Sequence, residues 1–368
     1  MALSDCPCHA GNLEVPNANS STGNPDISDQ NILSATKLIN ESSHGLPTAR
    51  MIANVPWHQQ LNALECGDGA MEIVYDYWDH DIYQKQIADV ARTSSAGTWT
   101  YDMVRAGQFS YMSSAQGRFY PSDVLTAGYP DRPLGYAAFS HSGNNFWLDD
   151  LKALIAMDIP VIVLTTYNSD GTGGGHYKTV IGYNDTEKAI YFSDPWGRDL
   201  SHQTNFTGVT RWTYDEFQSG WNYSAAGEGH PYFGMITLPW SVDIGVNGSL
   251  NKGSKIIITA YITYPCPHPF NQSQFQAKDC IASITLPDGM SLLSGSAAVS
   301  LGDMKAGSTT KASWKVHIDK PVTGKQVVVK AQGMVSGYMP EAHWAGVSVT
   351  YPPYNYTDDI GGYGSMML

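Results

Sequence analysis

Three residues able to share nucleophilic chemistry stand in order along the chain: Cys66, His176 and Asp194. Cys66 lies in Gln60-Leu-Asn-Ala-Leu-Glu-Cys66-Gly67, at the mouth of a run in which Ala70, Ile73, Val74, Tyr77 and Trp78 recur at helical spacing. A helix N-terminus favours thiolate through its dipole and its free N–H groups. Gln60, six residues earlier, can aim a side-chain N–H at the same spot, and with the Cys66 backbone N–H it supplies an oxyanion hole. Gln59 is the rival for that role. His176 opens a strand behind the glycine loop 171–175, and Asp194 closes the next strand in Ser193-Asp194-Pro195-Trp196-Gly197. Two antiparallel strands joined by a turn at Asn184 bring His176 and Asp194 to neighbouring ends. A cysteine, a histidine and a carboxylate that orients the imidazole follow the nucleophile, base and orienter logic of covalent catalysis.

Each of these residues also has a plainer reading. A lone cysteine is commonly a small core residue. His176 can be a strand-end histidine, one of eleven in the chain, and Asp194 a turn residue before Pro195. Asp76, Asp79, His80 and Asp81 suggest a metal site but read better as a solvated helix end. The glycines 173–175 are no phosphate loop, because no Gly-Lys-Ser/Thr follows and the next element is a strand. Trp57, Tyr177 and Trp196 either line a cleft or pack a core. The spacing of Cys6, Cys8, Cys66, Cys266 and Cys280 gives no pair of close Cys/His couples of the kind zinc wants.

The elements that must position these groups follow from the pattern. Residues 1–50, rich in Asn, Ser and Pro, read as an extended arm or pro-segment that must lie on its own domain or on a neighbouring subunit. Residues 51–240 mix signals: helices after Cys66 and over 146–157, strands over 161–167, 176–183, 189–193 and 234–238, and a short helix over 212–219. Residues 241–352 carry short β-rich runs at 255–263, 282–286, 312–318, 326–331 and 346–351, parted by turns, as in a β-sandwich. Residues 353–368 form a Tyr- and Gly-rich tail that reads as loose.

The runs QLNALECGDGAMEIVYDYW and GGGHYKTVIGYNDTEKAIYFSDPWG resemble the papain-like cysteine peptidases of family 39, the double-glycine leader (bacteriocin-processing) peptidases and their stand-alone relatives. The resemblance spans about residues 54 to 200. It implies an α+β papain-like peptidase domain in which Cys66, His176 and Asp194 form the triad and Gln60 shapes the oxyanion hole. No metal or organic cofactor is implied. The chain departs from that group in lacking a transporter, so double-glycine specificity is not carried over. It also has an aromatic-rich insertion near 97–145 and the added sandwich, which resembles immunoglobulin-like accessory modules.

Composition bounds the setting. There are 34 acidic against 21 basic residues, a net charge of −13, and only 15% charged residues, which argues against nucleic acid and anionic membrane as partners. No apolar run reaches the roughly 18 residues of a spanning helix. Asn-x-Ser/Thr acceptors begin at Asn19, Asn40, Asn184, Asn205, Asn222, Asn247, Asn271 and Asn355. Chance gives about 3 for this composition, so the excess favours export and glycosylation. The opening MALSDCPCHAGN is not a signal peptide. The numbering therefore begins at a processed form, or the acceptors are coincidence. Export permits a disulfide, expected between Cys266 and Cys280.

These observations predict an exported papain-like cysteine peptidase acting on a peptide or protein substrate. The alternative is an extracellular structural or assembly-forming glycoprotein whose papain-like domain is a silent scaffold and which self-assembles through the N-terminal arm.

Overall fold

The computed structural model describes residues 45–78, 82–114, 129, 132–197, 208–224, 230–343 and 350–368. The arm, Cys6, Cys8, Asn19, Asn40 and Asn205 lie outside these residues, as do Asp79, His80 and Asp81.

The first part of the chain is α+β. It runs β1 (Ala49–Met51), α1 (Cys66–Tyr77), α2 (Gln84–Val90), α3 (Thr100–Gln108), β2 (Ala137–His141), α4 (Leu148–Ala156), β3 (Val161–Thr166), β4 (Gly175–Asn184), β5 (Ala189–Ser193), β6 (Val209–Thr213), α5 (Tyr214–Trp221) and β7 (Gly234–Leu238). One seven-stranded antiparallel sheet forms in the order β2-β7-β3-β4-β5-β6, with β1 added on β4. The helix expected after Cys66 and the strands expected at 161–167, 176–183, 189–193 and 234–238 are all present to within a residue or two. Helix α1 is buried along its whole length, because the sheet covers one side and α2 and α3 the other. Helix α5 starts at a complete capping box, in which Thr213 accepts from the Glu216 N–H and Glu216 accepts from the Thr213 N–H.

The second part is β-rich: β8 (Ser241–Asn247), β9 (Lys255–Thr263), β10 (Ala277–Thr285), β11 (Met290–Leu292), β12 (Ala298–Met304), β13 (Thr309–Ile318), β14 (Gln326–Met339), β15 (Ala342–His343), β16 (Thr350–Tyr351) and β17 (Tyr354–Met367). Two four-stranded antiparallel sheets, β12-β10-β14-β17 and β11-β13-β9-β8, turn their alternate apolar residues toward each other; β15 and β16 make a separate ribbon.

Two expectations are corrected here. The tail is not loose: β17 pairs with β14 in unbroken register from Gln326↔Met367 to Met339↔Tyr354. Its glycines are the reason. A Cβ at Gly361, Gly362 or Gly364 would stand 2.0 to 2.1 Å from the carbonyl oxygens of Ala331, Trp240 and Val242, so only glycine lets β17 come so close to β14 and β8. The Cys266–Cys280 disulfide does not form either. Both are free, buried thiols; Cys280 sits in β10 against Gly333 of β14, while Cys266 lies in the loop after β9, in the other sheet. Burial raises both thiols, Cys266 to about 12 and Cys280 to about 11, so neither is a ready thiolate. No helix among the described residues is long and apolar enough to cross a membrane.

Candidate active site

Helix α1 begins at Cys66 itself, which is 4% exposed. Its amide thereby belongs to the first-turn N–H groups that have no intrahelical acceptor. Two glycines allow the approach. A Cβ on Gly67 would lie 2.7 Å from Met103 Sδ and 3.2 Å from Tyr177, and one on Gly69 would lie 2.9 Å from Pro195 Cβ. The start of α1 can therefore sit directly on the Pro195 loop and on β4.

Strand β4 delivers His176, and the antiparallel β4–β5 pair, with Thr179 opposite Ser193, carries Asp194 back beside it. His176 Nε2 donates to Asp194 Oδ1 at 2.8 Å, with both groups buried. The remaining ring nitrogen is left for Cys66, whose thiol hydrogen-bonds the imidazole. Burial alone would lower the imidazole pKa. The Asp194 carboxylate and then Cys66 overcome it and raise His176 from 6.5 to about 9. Burial likewise pushes the Asp194 carboxyl up, but the Lys178 ammonium and the His176 imidazolium hold it well below the usual carboxylate range. The Tyr167 ring packs edge-on against His176, and Trp196 stands against Tyr167. Both aromatics are half-buried.

The segment 56–60 stitches these pieces together. Trp57 Nε1 donates to the Asp194 carbonyl at 2.7 Å, Ser193 Oγ to the Pro56 carbonyl, and the Gln60 N–H to the Pro195 carbonyl at 2.9 Å. His58 Nε2 binds Asp76 on α1 at 2.7 Å, so Asp76 is part of this brace. Gln60 is 1% exposed and packs on Gly69, whereas the Gln59 carbonyl receives Gln84 Nε2. Gln60 Nε2 donates one hydrogen to the Asn62 carbonyl at 2.6 Å. An amide nitrogen carries two.

The structure thus sets His176 against Asp194 and Gln60 against Pro195 and Gly69, with Cys66 at the start of the helix that packs there. Sequence reasoning missed three charged neighbours. Lys178, two residues beyond His176, places Nζ 3.1 Å from Asp194 Oδ2. Glu65 and Asp68 flank Cys66 and are fully buried. Burial pushes Glu65 up to about 7 against the hydrogen bond from Asn62. Burial and then Glu65 push Asp68 well above its ordinary value, although Thr93 Oγ1 donates to it. The signal was present in the run Leu-Glu-Cys-Gly-Asp: a helix start that buries its whole first turn must bury its acids as well. Chemically, a thiol at a helix start, against an imidazole whose far nitrogen is tied to a buried carboxylate, can add to a carbonyl and return a proton to the leaving group.

Residues 52–225 match the model of the Peptidase_C39 like family. No curated protein sequence matches the chain. Among solved structures the chain is similar to xylellain, a cysteine protease from Xylella fastidiosa, at 14% identity and a TM-score of 0.36, over 58% of this chain and 94% of that one. It is similar to the peptidase domain of Streptococcus ComA at 17% identity and a TM-score of 0.32, over 50% and 99%. A third similarity is to a double glycine motif protease from an AMS/PCAT transporter in complex with the leader peptide, at 16% identity and a TM-score of 0.31, over 53% and 98%. These likenesses are loose, and the assignment rests on the family match. Residues 52–225 are therefore a cysteine peptidase domain of the C39-like family, joined to a β-rich region of comparable size.

Proposed function

We propose that the domain hydrolyses peptide bonds through Cys66, His176 and Asp194. The observation that carries this reading is His176 at the opening of β4, bonded on one side to Asp194 at 2.8 Å and on the other to Cys66. Cys66 attacks the scissile carbonyl as thiolate. His176, held as imidazolium, protonates the leaving amine, and water then cleaves the thioester with His176 as base. Asp194 fixes the tautomer by occupying Nε2. The Cys66 N–H and the second hydrogen of Gln60 Nε2 receive the oxyanion. A peptide or protein is the substrate class this chemistry takes; the transporter protease with its bound leader peptide is a similar protein, and its specificity is not transferred here.

Export with glycosylation belongs to the same reading. Asn222, Asn247, Asn271 and Asn355 are exposed acceptors, and Asn184 is half-buried at the β4–β5 turn, where its Oδ1 accepts from the Thr186 and Glu187 N–H groups. Intact mass from the native source checks this: a mass equal to the 40.1 kDa of the chain removes the argument for export.

The test of the activity is a fluorogenic peptide library with the natural chain, Cys66→Ala and His176→Ala, paired with labelling of Cys66 by iodoacetamide. Turnover and fast labelling near neutral pH that both depend on His176 are the expected results. Unchanged labelling in His176→Ala removes the reading.

A further inference from the structure

Strand β4 alternates, so His176 and Lys178 project from the same side of the sheet. Lys178 is 1% exposed in the middle of that sheet, opposite Val163 of β3. Burying an ammonium there is costly unless it is paired. Among the described residues its ionic partner is Asp194 Oδ2 at 3.1 Å, and it has an aromatic bed: Nζ lies 4.0 Å from the Trp212 ring centroid on β6 and 5.3 Å from that of Phe192 on β5. Asp194 Oδ1 is meanwhile occupied by His176 Nε2 and by the Trp196 N–H at 2.9 Å. A strand core calling only for volume is served by an apolar side chain. A lysine is needed where the second oxygen of an orienting carboxylate must be held.

Resting on the Cys66–His176–Asp194 reading, we propose that Lys178 is a positioning residue of the peptidase site: it anchors Asp194 through Oδ2, keeps Oδ1 turned toward His176, and sets the pH window in which Cys66 and His176 coexist as thiolate and imidazolium. Lys178 touches neither the thiol nor the substrate. It acts through Asp194. His176 is the other titratable group on Asp194; Cys66 at the start of α1 bears on that imidazole, and Glu65 and Asp68 lie beside Cys66. From β5 and β6 the Lys178 ammonium meets the Phe192 and Trp212 rings. Removing a positive charge favours the protonated form of every group nearby. Both limits of the window must therefore move to higher pH.

The experiment follows iodoacetamide labelling of Cys66, resolved by peptide mass spectrometry, across pH 4 to 11 in the full chain. It compares the natural protein with Lys178→Met, Lys178→Gln and Lys178→Arg. Met keeps the stem on Trp212 without the charge. Gln also keeps an N–H for Asp194 and carries the test where Met does not fold. In the neutral variants both labelling midpoints are expected to rise by about one pH unit, which slows labelling about tenfold at the acidic end. In Lys178→Arg they stay within a few tenths of the natural values. Unmoved midpoints in a folded neutral variant, whatever the overall rate, overturn the proposal and leave Lys178 a packing residue. Natural-chain labelling that is indifferent to His176→Ala fails at an earlier step: it removes the site reading, and Lys178's role with it.

Discussion

Two fully buried carboxylates divide the labour of this molecule. Asp194, at the end of β5, shares its oxygens between His176 and Lys178. Asp358, on β17, reaches from the β-rich region into the peptidase domain. There it pairs with Arg105 of α3 at 2.8 Å and accepts from Ser110 N, Ser110 Oγ and Ser113 Oγ. Alongside it, the Gly135 N–H donates to the Asp359 carbonyl and the Gly361 N–H to the Gly135 carbonyl, so β17 is sewn to the first domain by main chain as well. The partners make the difference. Asp358 is surrounded by a guanidinium and hydroxyls, which keep their protons across the physiological range. Asp194 faces the His176 imidazolium, which must give up its proton in each turnover. The same device, a desolvated ion pair, is a rivet in one place and a tunable element in the other.

The largest effect expected is on activity. Cys66→Ala removes the nucleophile and lowers kcat by about a millionfold, down to what binding and the oxyanion hole alone provide; single-turnover assays check it. Asp194→Asn lowers kcat by about 10⁴ and also leaves Lys178 without its partner, so the melting temperature drops with the activity. Asp358→Asn separates the two regions. It strands Arg105 and costs about 3 to 5 kcal/mol in denaturant unfolding, while the activity per correctly folded molecule, counted by Cys66 titration, is unchanged. Lost activity with normal stability in that variant breaks the contrast.

Smaller effects appear against pH. The folded His176 pKa, about 9, exceeds the ordinary 6.5. Its contribution to stability is complete below about pH 6.5 and is lost as pH rises through about 9. Turnover should fall over the same range, and His176→Ala should flatten that part of the stability curve. Glu65 has the same sign at lower pH. Its carboxyl is raised from 4.5 to about 7, so its contribution is complete below about pH 4.5 and lost as pH rises through about 7. Glu65→Gln should be the more stable protein at pH 8, by about 1 to 2 kcal/mol, with the difference vanishing near pH 4; thermal melts at the two pH values check it.

Much of the site was legible in the residues. Cys66 at a helix start, Gln60 six residues before it, and His176 and Asp194 on consecutive strands are local features with local signals: a helical period, a glycine loop, a turn at Asn184. The strands at 255–263 and 326–331 were legible for the same reason, an alternation of apolar and polar residues, although the second runs on to Met339. Helices α2 and α3 were missed because each is short and lies against α1, with buried Gln84, Asp89, Asp102 and Arg105 blurring the period.

What the sequence determined by itself was therefore the order of the candidate residues along the chain and an α+β part followed by a β-rich one, because these depend on spacing along one or two adjacent elements. Tertiary structure decided the rest, because it depends on which distant groups share buried space. Glycines that weaken an isolated strand become a requirement once β17 must pass within touching distance of Trp240 and Val242. Cys266 and Cys280 are near in sequence, but one lies in the loop after β9 and the other in β10, and both are free thiols, so proximity along the chain gave them no bond. Lys178 reads as an ordinary strand lysine until β5 and β6 fold over it. Only then do exclusion of water and the Asp194 carboxylate give its charge a purpose.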